Sequence, residues 1–285
     1  MNGTDTDGSA ETGPLKTFRT SDGLNLAYRI DDFTPPWKEV ETLVLLHAAM
    51  GNINRLYAWV PHLCGFVRVV RMDLRGHGRS DIPGEGQLDF DRVTRDLVEL
   101  LDELGIACAH LAGSSAGGII AMHTTITHPE RVKTLASFAA APGLKMSSGH
   151  TNFSGWIAAL KTEGVRPFLA RTIEDRFDIS QVEPGFVEWF LDESAKNDPD
   201  LLARFVSMMS AVDFSDRIGQ IACPTLMVVP GGDSVQSMDE YNILKARIAN
   251  CEFKVYEGLP HNITDAVPHR CAEDLAQFLR AHVKT

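Results

Sequence analysis

A short segment rich in glycine and serine is the best candidate for a nucleophile in this chain. Residues 113–117 read Gly-Ser-Ser-Ala-Gly and match the pattern Gly-x-Ser-x-Gly with Ser115 at its centre. In this pattern the serine sits on a tight turn between a strand and a helix, so the residues two positions before and after it must be very small. The two glycines meet that requirement for Ser115, whereas Ser114 would have alanines there. We therefore predict that Ser115 is the nucleophile, beside the N-terminal dipole of a helix that begins at Ala116.

Two further residues can supply the base and the acid that a serine nucleophile needs. Asp233 follows the strand-like run 225–229, and His261 follows the next such run, 252–256. Functional side chains in an open parallel sheet meet at the carboxyl ends of the strands, and the order serine, acid, histidine suits this architecture. We therefore predict that Ser115, Asp233 and His261 converge as a catalytic triad, in which the acid orients the imidazole.

Other histidines and acids fit this arrangement less well. His47 ends an apolar run and His77 lies in a glycine-rich loop, so we expect both to be structural. Asp239 and Asp265 are weaker candidates for the acid, and we expect them to be solvated. The strand predicted at 132–139 has no carboxylate after it, which favours Asp233.

Strand and helix patterns alternate along most of the chain. Residues 15–30 have the pattern of a hairpin, and a helix with apolar residues at helical spacing is predicted to end near Gly105. Strands that alternate with helices indicate a parallel sheet covered on both faces. The predicted buried strands cover 43–46, 66–71, 106–112, 132–139, 225–229 and 252–256.

One long segment breaks the alternation. Residues 143–218 lack buried-strand runs, show helical periodicity and hold nine aromatic residues, which predicts a helical cap with its own apolar face. We therefore expect a core made of 15–142 and 219–285. Residues 1–14 are polar and rich in glycine and threonine, and we predict a disordered lead-in there.

With these motifs in place, residues 15–283 resemble the α/β-hydrolase superfamily. The segment 73–80, Asp-Leu-Arg-Gly-His-Gly-Arg-Ser, is similar to the family's loop after the fourth strand, and Pro-His-Asn at 260–262 fits its closing block. The resemblance implies an α/β fold with a mostly parallel, doubly wound, eight-stranded sheet and a helical cap inserted after the sixth strand. Among its members, the chain looks most similar to small esterases, 3-oxoadipate enol-lactonases and C–C hydrolases.

The loop after the third strand departs from the family pattern. His-Gly is usual there, and residues 47–51 read His-Ala-Ala-Met-Gly, with Ala48 in place of the glycine. By resemblance, the N–H groups of Ala49 and Ala116 form the oxyanion hole, and the alanine raises the question of whether the loop keeps its backbone angles. Four residues are candidates for lining an apolar substrate pocket, with the cap's own core as the alternative for the aromatic ones: Met50, Trp156, Phe168 and Trp189.

The predicted activity is hydrolysis of a carboxylic ester or lactone of a small, partly apolar molecule through an acyl-enzyme. The same fold and triad also support C–C bond hydrolysis and cofactor-free dioxygenase or lyase chemistry, and these alternatives stay open. A non-enzymatic ligand receptor is the third hypothesis. We expect no metal and no organic cofactor, because the chain itself would supply nucleophile and base.

Composition excludes several other classes of protein. The 285 residues carry a net charge of −11, which disfavours nucleic acid and anionic membrane surfaces as partners. Five widely spaced cysteines and the absence of a signal-peptide pattern predict a cytoplasmic protein with reduced thiols. There is no apolar run of about 18 residues that would predict a membrane span. The expected partner is a small-molecule substrate, and a homodimer is left open.

Overall fold

Eight strands form one sheet in the computed structural model, which describes residues 13–283. The predicted lead-in at 1–14 therefore lies outside the described residues, except for its last two. The strand order is β1-β2-β4-β3-β5-β6-β7-β8, and the pairs β1–β2 and β2–β4 are antiparallel while the other pairs are parallel. The predicted eight-stranded, mostly parallel sheet is thus confirmed. Its strands are β1 (Lys16–Arg19), β2 (Asn25–Asp31), β3 (Thr42–Leu46), β4 (Arg68–Met72), β5 (Ala109–Ser114), β6 (Val132–Phe138), β7 (Thr225–Pro230) and β8 (Cys251–Tyr256).

Helices flank this sheet and also fill the long connection between β6 and β7. The helix predicted to end near Gly105 stops at Glu103, and Gly105 adopts a positive φ of 65°, as a helix-ending glycine often does. The helices are α1 (Val60–Leu63), α2 (Phe90–Glu103), α3 (Ala116–Thr127), α4 (Phe153–Glu163), α5 (Val165–Arg171), α6 (Phe186–Ala195), α7 (Pro199–Met209), α8 (Met238–Arg247), α9 (Ile263–Ala266) and α10 (Pro268–Arg280).

Apolar side chains cover both faces of the sheet. All five residues of β3 are buried, as expected for a central strand packed on its two faces. One apolar cluster joins the sheet to α2, α3 and α8, and a second joins the opposite face to α1 and α10. Among residues 13–283, no helix is both long enough and apolar enough to cross a membrane.

A third apolar cluster is built mainly from residues 143–218, which we call the helical segment, and it also contains Met50 and Val235. It contains α4 to α7 and is built largely from aromatic side chains, including Phe153, Phe177 and Phe190. The segment contacts the loop after β4, where Phe205 of α7 packs edge-on against His77 with 4.7 Å between ring centroids. The helical segment therefore has its own core and rests on a loop of the sheet domain.

Candidate active site

Ser115 occupies the turn between β5 and α3. Its φ is +48° and its ψ is −115°, a conformation that residues with a side chain rarely adopt. A Cβ atom on Gly113 would lie 2.3 Å from the carbonyl carbon of Gly117, and one on Gly117 would lie 2.5 Å from the carbonyl oxygen of Leu46. Both contacts are with backbone, which cannot move aside. The two glycines are therefore required by the close approach of neighbouring chain segments.

The structure brings Ser115, Asp233 and His261 together from three separate loops. The Nε2 atom of His261 is 3.0 Å from Oγ of Ser115. On the other side of the ring, Nδ1 is 2.8 Å from Oδ2 and 3.0 Å from Oδ1 of Asp233. The acid is almost fully buried, with 2% of its side chain exposed. The spacing is that of a nucleophile, a base and an orienting acid.

Several donors hold the carboxylate of Asp233 in its ionised form. Its Oδ1 accepts the N–H of Val235 at 2.7 Å and the N–H of Gln236 at 3.2 Å, and its Oδ2 accepts the hydroxyl of Tyr241. Burial acts to raise the pKa of Asp233, but the charge and hydrogen bond of His261 and the donors outweigh burial and hold the pKa below its ordinary value. Burial and the nearby carboxylate raise the pKa of Tyr241 well above its usual range, so the phenol keeps its proton. No local pattern in the sequence pointed to a role for Tyr241 beside Asp233.

The competing serine and acids are occupied elsewhere or lie in solvent. Oγ of Ser114 is 2.7 Å from Oγ1 of Thr264, and Ser114 is buried. Asp239 is exposed, as expected. The expectation that Asp265 is solvated was wrong, because its carboxylate is buried and accepts two hydrogen bonds from Arg55, at 2.7 and 2.5 Å.

The loop after β3 accommodates the unusual alanine. Among residues 13–283, the positive-φ residues other than glycine are Met50, Ser115 and Ala139, so neither Ala48 nor Ala49 has the positive φ that would favour glycine. Met50 takes the left-handed conformation, with φ of 59°, and the N–H of Gly51 closes the turn on the carbonyl of Ala48 at 3.0 Å. Ala49 and Ala116 line the same cavity as Ser115. Their N–H groups make no hydrogen bond within the described part of the chain.

The two histidines predicted to be structural hold loops in the structure. Nε2 of His47 accepts the N–H of Leu74 at 3.0 Å, and its Nδ1–H can donate to the carbonyl of Ala48, 2.8 Å away. Burial lowers the pKa of His47 well below its ordinary value, consistent with a neutral ring. His77 is also fully buried, and burial lowers its pKa to about 4. His47 therefore connects the loops that follow β3 and β4.

The cavity next to Ser115, which we call the Ser115 pocket, has a volume of about 50 Å³. Two of the four predicted pocket residues, Met50 and Trp156, line it. The other two do not. Phe168 is 1% exposed and belongs to the core of the helical segment, and Trp189 lines a separate cavity of about 580 Å³ beside Tyr57. The remaining described lining residues are Ala48, Ala49, Ala116, Leu144, Phe153, Arg176, Phe205, Val206, Met209, Val235, His261 and Asn262.

Arg176 is the lining residue that the sequence analysis missed most clearly. It follows α5 in a stretch without regular secondary structure, where no periodicity shows which way a side chain points. Within residues 13–283, His, Cys, Asp and Glu side chains form no group of three or more that could hold a metal ion.

A comparison with known sequences identifies the family to which this site belongs. A sequence model described as the alpha/beta hydrolase fold matches residues 41–265, most of the chain. This chain belongs to the alpha/beta hydrolase family. The resemblance stated from the sequence is thereby confirmed.

Two relatives and one solved structure show the range of named proteins that this hydrolase-family chain is similar to. It is 27% identical to the non-heme chloroperoxidase of Streptomyces lividans, over 94% of this chain and 100% of that protein. It is 30% identical to the 2-hydroxy-6-oxononadienedioate/2-hydroxy-6-oxononatrienedioate hydrolase of Klebsiella pneumoniae, over 78% of this chain and 81% of that protein. The enol-lactonase from Burkholderia xenovorans LB400 superposes with a TM-score of 0.83 at 21% identity, covering 93% of this chain and 100% of that one. The last likeness is one of fold.

Proposed function

We propose that this hydrolase-family protein is a serine hydrolase that cleaves a carboxylic ester or lactone of a small, partly apolar molecule. One observation carries the proposal: Oγ of Ser115 lies 3.0 Å from Nε2 of His261, whose Nδ1 lies 2.8 Å from Asp233. That geometry lets a neutral imidazole take the serine proton while the buried carboxylate stabilises the resulting cation. In this proposal the helical segment acts as the cap of the Ser115 pocket.

The first half of the reaction forms the acyl-enzyme. Oγ of Ser115 bonds to the substrate's carbonyl carbon as its proton moves to Nε2 of His261, and the carbonyl π electrons move to oxygen. The N–H groups of Ala49 and Ala116 donate hydrogen bonds to the resulting oxyanion, and a single such donor contributes about 2.7–4 kcal/mol of transition-state stabilisation. When the tetrahedral intermediate collapses, the C–O bond to the leaving group breaks, and that oxygen takes the proton from Nε2.

The second half returns the enzyme to its starting state. Water attacks the acyl carbon and gives a proton to Nε2 of His261, and the new tetrahedral intermediate again places its oxyanion on the two N–H groups. Collapse breaks the bond to Oγ of Ser115, which recovers the proton. The product is a carboxylic acid, and no group outside the chain takes part except water.

C–C bond hydrolysis is the second candidate. The observation that favours it is the 30% identity to the Klebsiella hydrolase named above, which is the closer of the two relatives by identity. In that reaction a carbon replaces the leaving oxygen, and it must be protonated before or as the C–C bond breaks. The triad is compatible with both reactions, so the choice rests on the substrate.

Rapid mixing with an activated p-nitrophenyl ester tests the proposal. We expect a burst of nitrophenolate stoichiometric with enzyme, then slower steady turnover, because acylation releases the phenolate before water frees Ser115. A fluorophosphonate should label Ser115 and leave Ser114 unmodified. Absence of a burst together with an adduct on another serine would contradict the proposal.

Two variants separate covalent hydrolysis from dioxygenase or lyase chemistry. For a serine hydrolase, Ser115→Ala and His261→Ala should be almost equally inactive, since the residues act as one unit. Ser114→Ala is the matched control, and it should keep the activity because its hydroxyl contacts Thr264 instead. If Ser115→Ala keeps substantial turnover while His261→Ala does not, His261 acts directly on the substrate, and oxygen consumption is the next measurement.

A further inference from the structure

Arg176 gives the Ser115 pocket a fixed positive charge. The described lining residues are apolar or uncharged except for Arg176 and His261, and none is acidic. Arg176 is 7% exposed, which is unusual for an arginine without a carboxylate partner. Burial, with the nearby charge of Arg55, lowers the pKa of Arg176 to about 10, so the side chain remains a cation at neutral pH.

The guanidinium lacks the polar partner that such a group normally has. Its Nε atom is buried without a hydrogen bond, and within residues 13–283 the side chain forms no hydrogen bond or ion pair. It is held instead by aromatic faces, with its central carbon 5.3 Å from the ring centroid of Trp156 and 5.7 Å from that of Phe168. These cation–π contacts hold the guanidinium against the two rings and use none of its N–H groups as hydrogen-bond donors.

Two carboxylates, those of Asp175 and Asp265, act on the charge of Arg176, but neither forms an ion pair with it. Asp265 already accepts two hydrogen bonds from Arg55, and Asp175 is exposed. A largely buried charge without a partner is costly, because little water solvates it, and Nε of Arg176 is the guanidinium nitrogen that is fully buried. An anion that enters the pocket would remove that cost, whereas a neutral group would leave it in place.

We infer that Arg176 binds an ionised carboxylate of the substrate, so that the ester or lactone cleaved at Ser115 belongs to a molecule with a second, acidic carboxyl group. This inference rests on the proposed function and deepens it by naming the substrate class. A carboxylate matches the two parallel N–H donors of a guanidinium, and it is small enough for a pocket of about 50 Å³.

A neighbouring cavity gives room for a substrate that is longer than the Ser115 pocket. This cavity, of about 220 Å³, shares Trp156, Arg176 and Val235 with the Ser115 pocket. Arg176 therefore lies at the boundary of two spaces, one that contains the nucleophile and one lined by polar residues such as Ser234 and by the exposed acid Asp175. A substrate longer than the Ser115 pocket can keep its carbonyl at Ser115 and its carboxylate at this boundary.

The test compares two esters that differ in one charge. The first is the mono-p-nitrophenyl ester of glutaric acid, and the second is the same compound with its free carboxyl capped as a methyl ester. We expect wild-type kcat/KM for nitrophenolate release to be roughly 100-fold higher for the acidic ester, because a charge-assisted pair is lost with the neutral one. Arg176→Gln should abolish that ratio, and Arg176→Lys should keep part of it, since lysine retains the charge without the planar fork.

Arg171→Gln is the matched control. Arg171 ends α5 in the same helical segment and pairs with Glu163 at the surface, so its loss should leave the ratio unchanged. If Arg176→Gln keeps the wild-type ratio, or if Arg171→Gln lowers it equally, the inference is wrong.

A binding measurement separates this inference from the proposed function. Glutarate is titrated calorimetrically into Ser115→Ala and into the double variant that also carries Arg176→Gln. We expect roughly 100-fold weaker binding to the double variant, and the Arg176→Lys double variant reports on the site if the glutamine variant does not fold. If glutarate binds through Arg176 but no burst occurs, the ester mechanism fails and the anion site remains. If a burst occurs and glutarate binding does not depend on Arg176, the anion site fails alone.

Discussion

Ser115, Asp233 and His261 differ from Arg176 in how many of their polar side-chain atoms have a hydrogen-bond partner within the protein. Both ring nitrogens of His261 have partners, and Asp233 accepts hydrogen bonds from the backbone and from Tyr241 as well as from the ring. The guanidinium of Arg176 has aromatic neighbours and no hydrogen-bonded partner within the described residues. Ser115, Asp233 and His261 therefore have hydrogen-bond partners without any ligand, whereas the guanidinium N–H groups of Arg176 are left for a ligand to accept.

The difference follows from where each group is held in the fold. Ser115, Asp233 and His261 follow strands of a single sheet, whose hydrogen bonds fix the positions of the loops. Arg176 lies between helices of the helical segment, whose apolar cluster is built mainly from the segment's own side chains. Under the proposed function, the reaction belongs to the sheet domain and the choice of substrate to the helical segment. This division predicts that changes in the first region act on every substrate and changes in the second act on some.

The largest expected effect comes from Asp233→Asn. An amide cannot stabilise the imidazolium and favours the wrong tautomer, so kcat should fall by about 10⁴-fold for acidic and neutral esters alike. Asp239→Asn is the matched control, since this exposed acid lies six positions later and contacts none of the three residues. A loss confined to the acidic ester would contradict the division, because it would give the triad acid a role in selecting the substrate.

An intermediate effect is expected from Trp156→Leu. The change removes an aromatic face that orients the guanidinium of Arg176, and cation–π contacts at desolvated sites are worth about 1–2 kcal/mol. The ratio of kcat/KM between acidic and neutral esters should therefore fall by about tenfold. Trp189→Leu removes the same type of side chain from the same segment but from the separate cavity beside Tyr57, and it should leave the ratio unchanged. Equal shifts in both variants would mean a general loosening of the helical segment.

The same two regions differ in how far the sequence alone could describe them. Ser115 was predictable because its requirement is local: two glycines, two positions away on each side, avoid backbone contacts that any side chain would make. Asp233 and His261 were predictable because a parallel sheet brings the ends of its strands to one edge. These inferences need only the order of the elements and the character of short segments.

The positions of side chains in the helical segment were harder to predict, because they depend on packing between helices. Trp156 and Phe168 both fit an apolar helical pattern, yet Trp156 lines the Ser115 pocket and Phe168 lies in the core behind it, with 5.9 Å between the two ring centroids. Which face of a helix is inward depends on neighbours that are distant in sequence. The prediction that Asp265 is solvated was wrong for the same reason, since its partner, Arg55, lies 210 positions away in the sequence.

The smallest expected effect concerns Tyr241, whose hydroxyl donates to Asp233. Tyr241→Phe removes little volume and one of several donors to Asp233, and because the other donors remain we expect a loss of about 1 kcal/mol, or roughly fivefold in kcat. Tyr256→Phe is the matched control, because this buried tyrosine donates in the same way to Asp274, at 2.6 Å and on another side of the sheet. It should leave kcat unchanged.

The pH dependence distinguishes positioning by Tyr241 from a general loss of stability. The pKa of Asp233 lies below its ordinary value in the folded protein, so the ionised acid stabilises the fold above the ordinary carboxyl range, and this is lost as pH falls through the lowered pKa. Removing a donor to the ionised form raises that pKa. In Tyr241→Phe, the acid loss of Tm should therefore move to higher pH than in the wild type, as thermal unfolding followed over a pH series would show. An unchanged pH dependence of Tm together with a lower kcat would mean that Tyr241 supports the fold near Asp233 without affecting its charge.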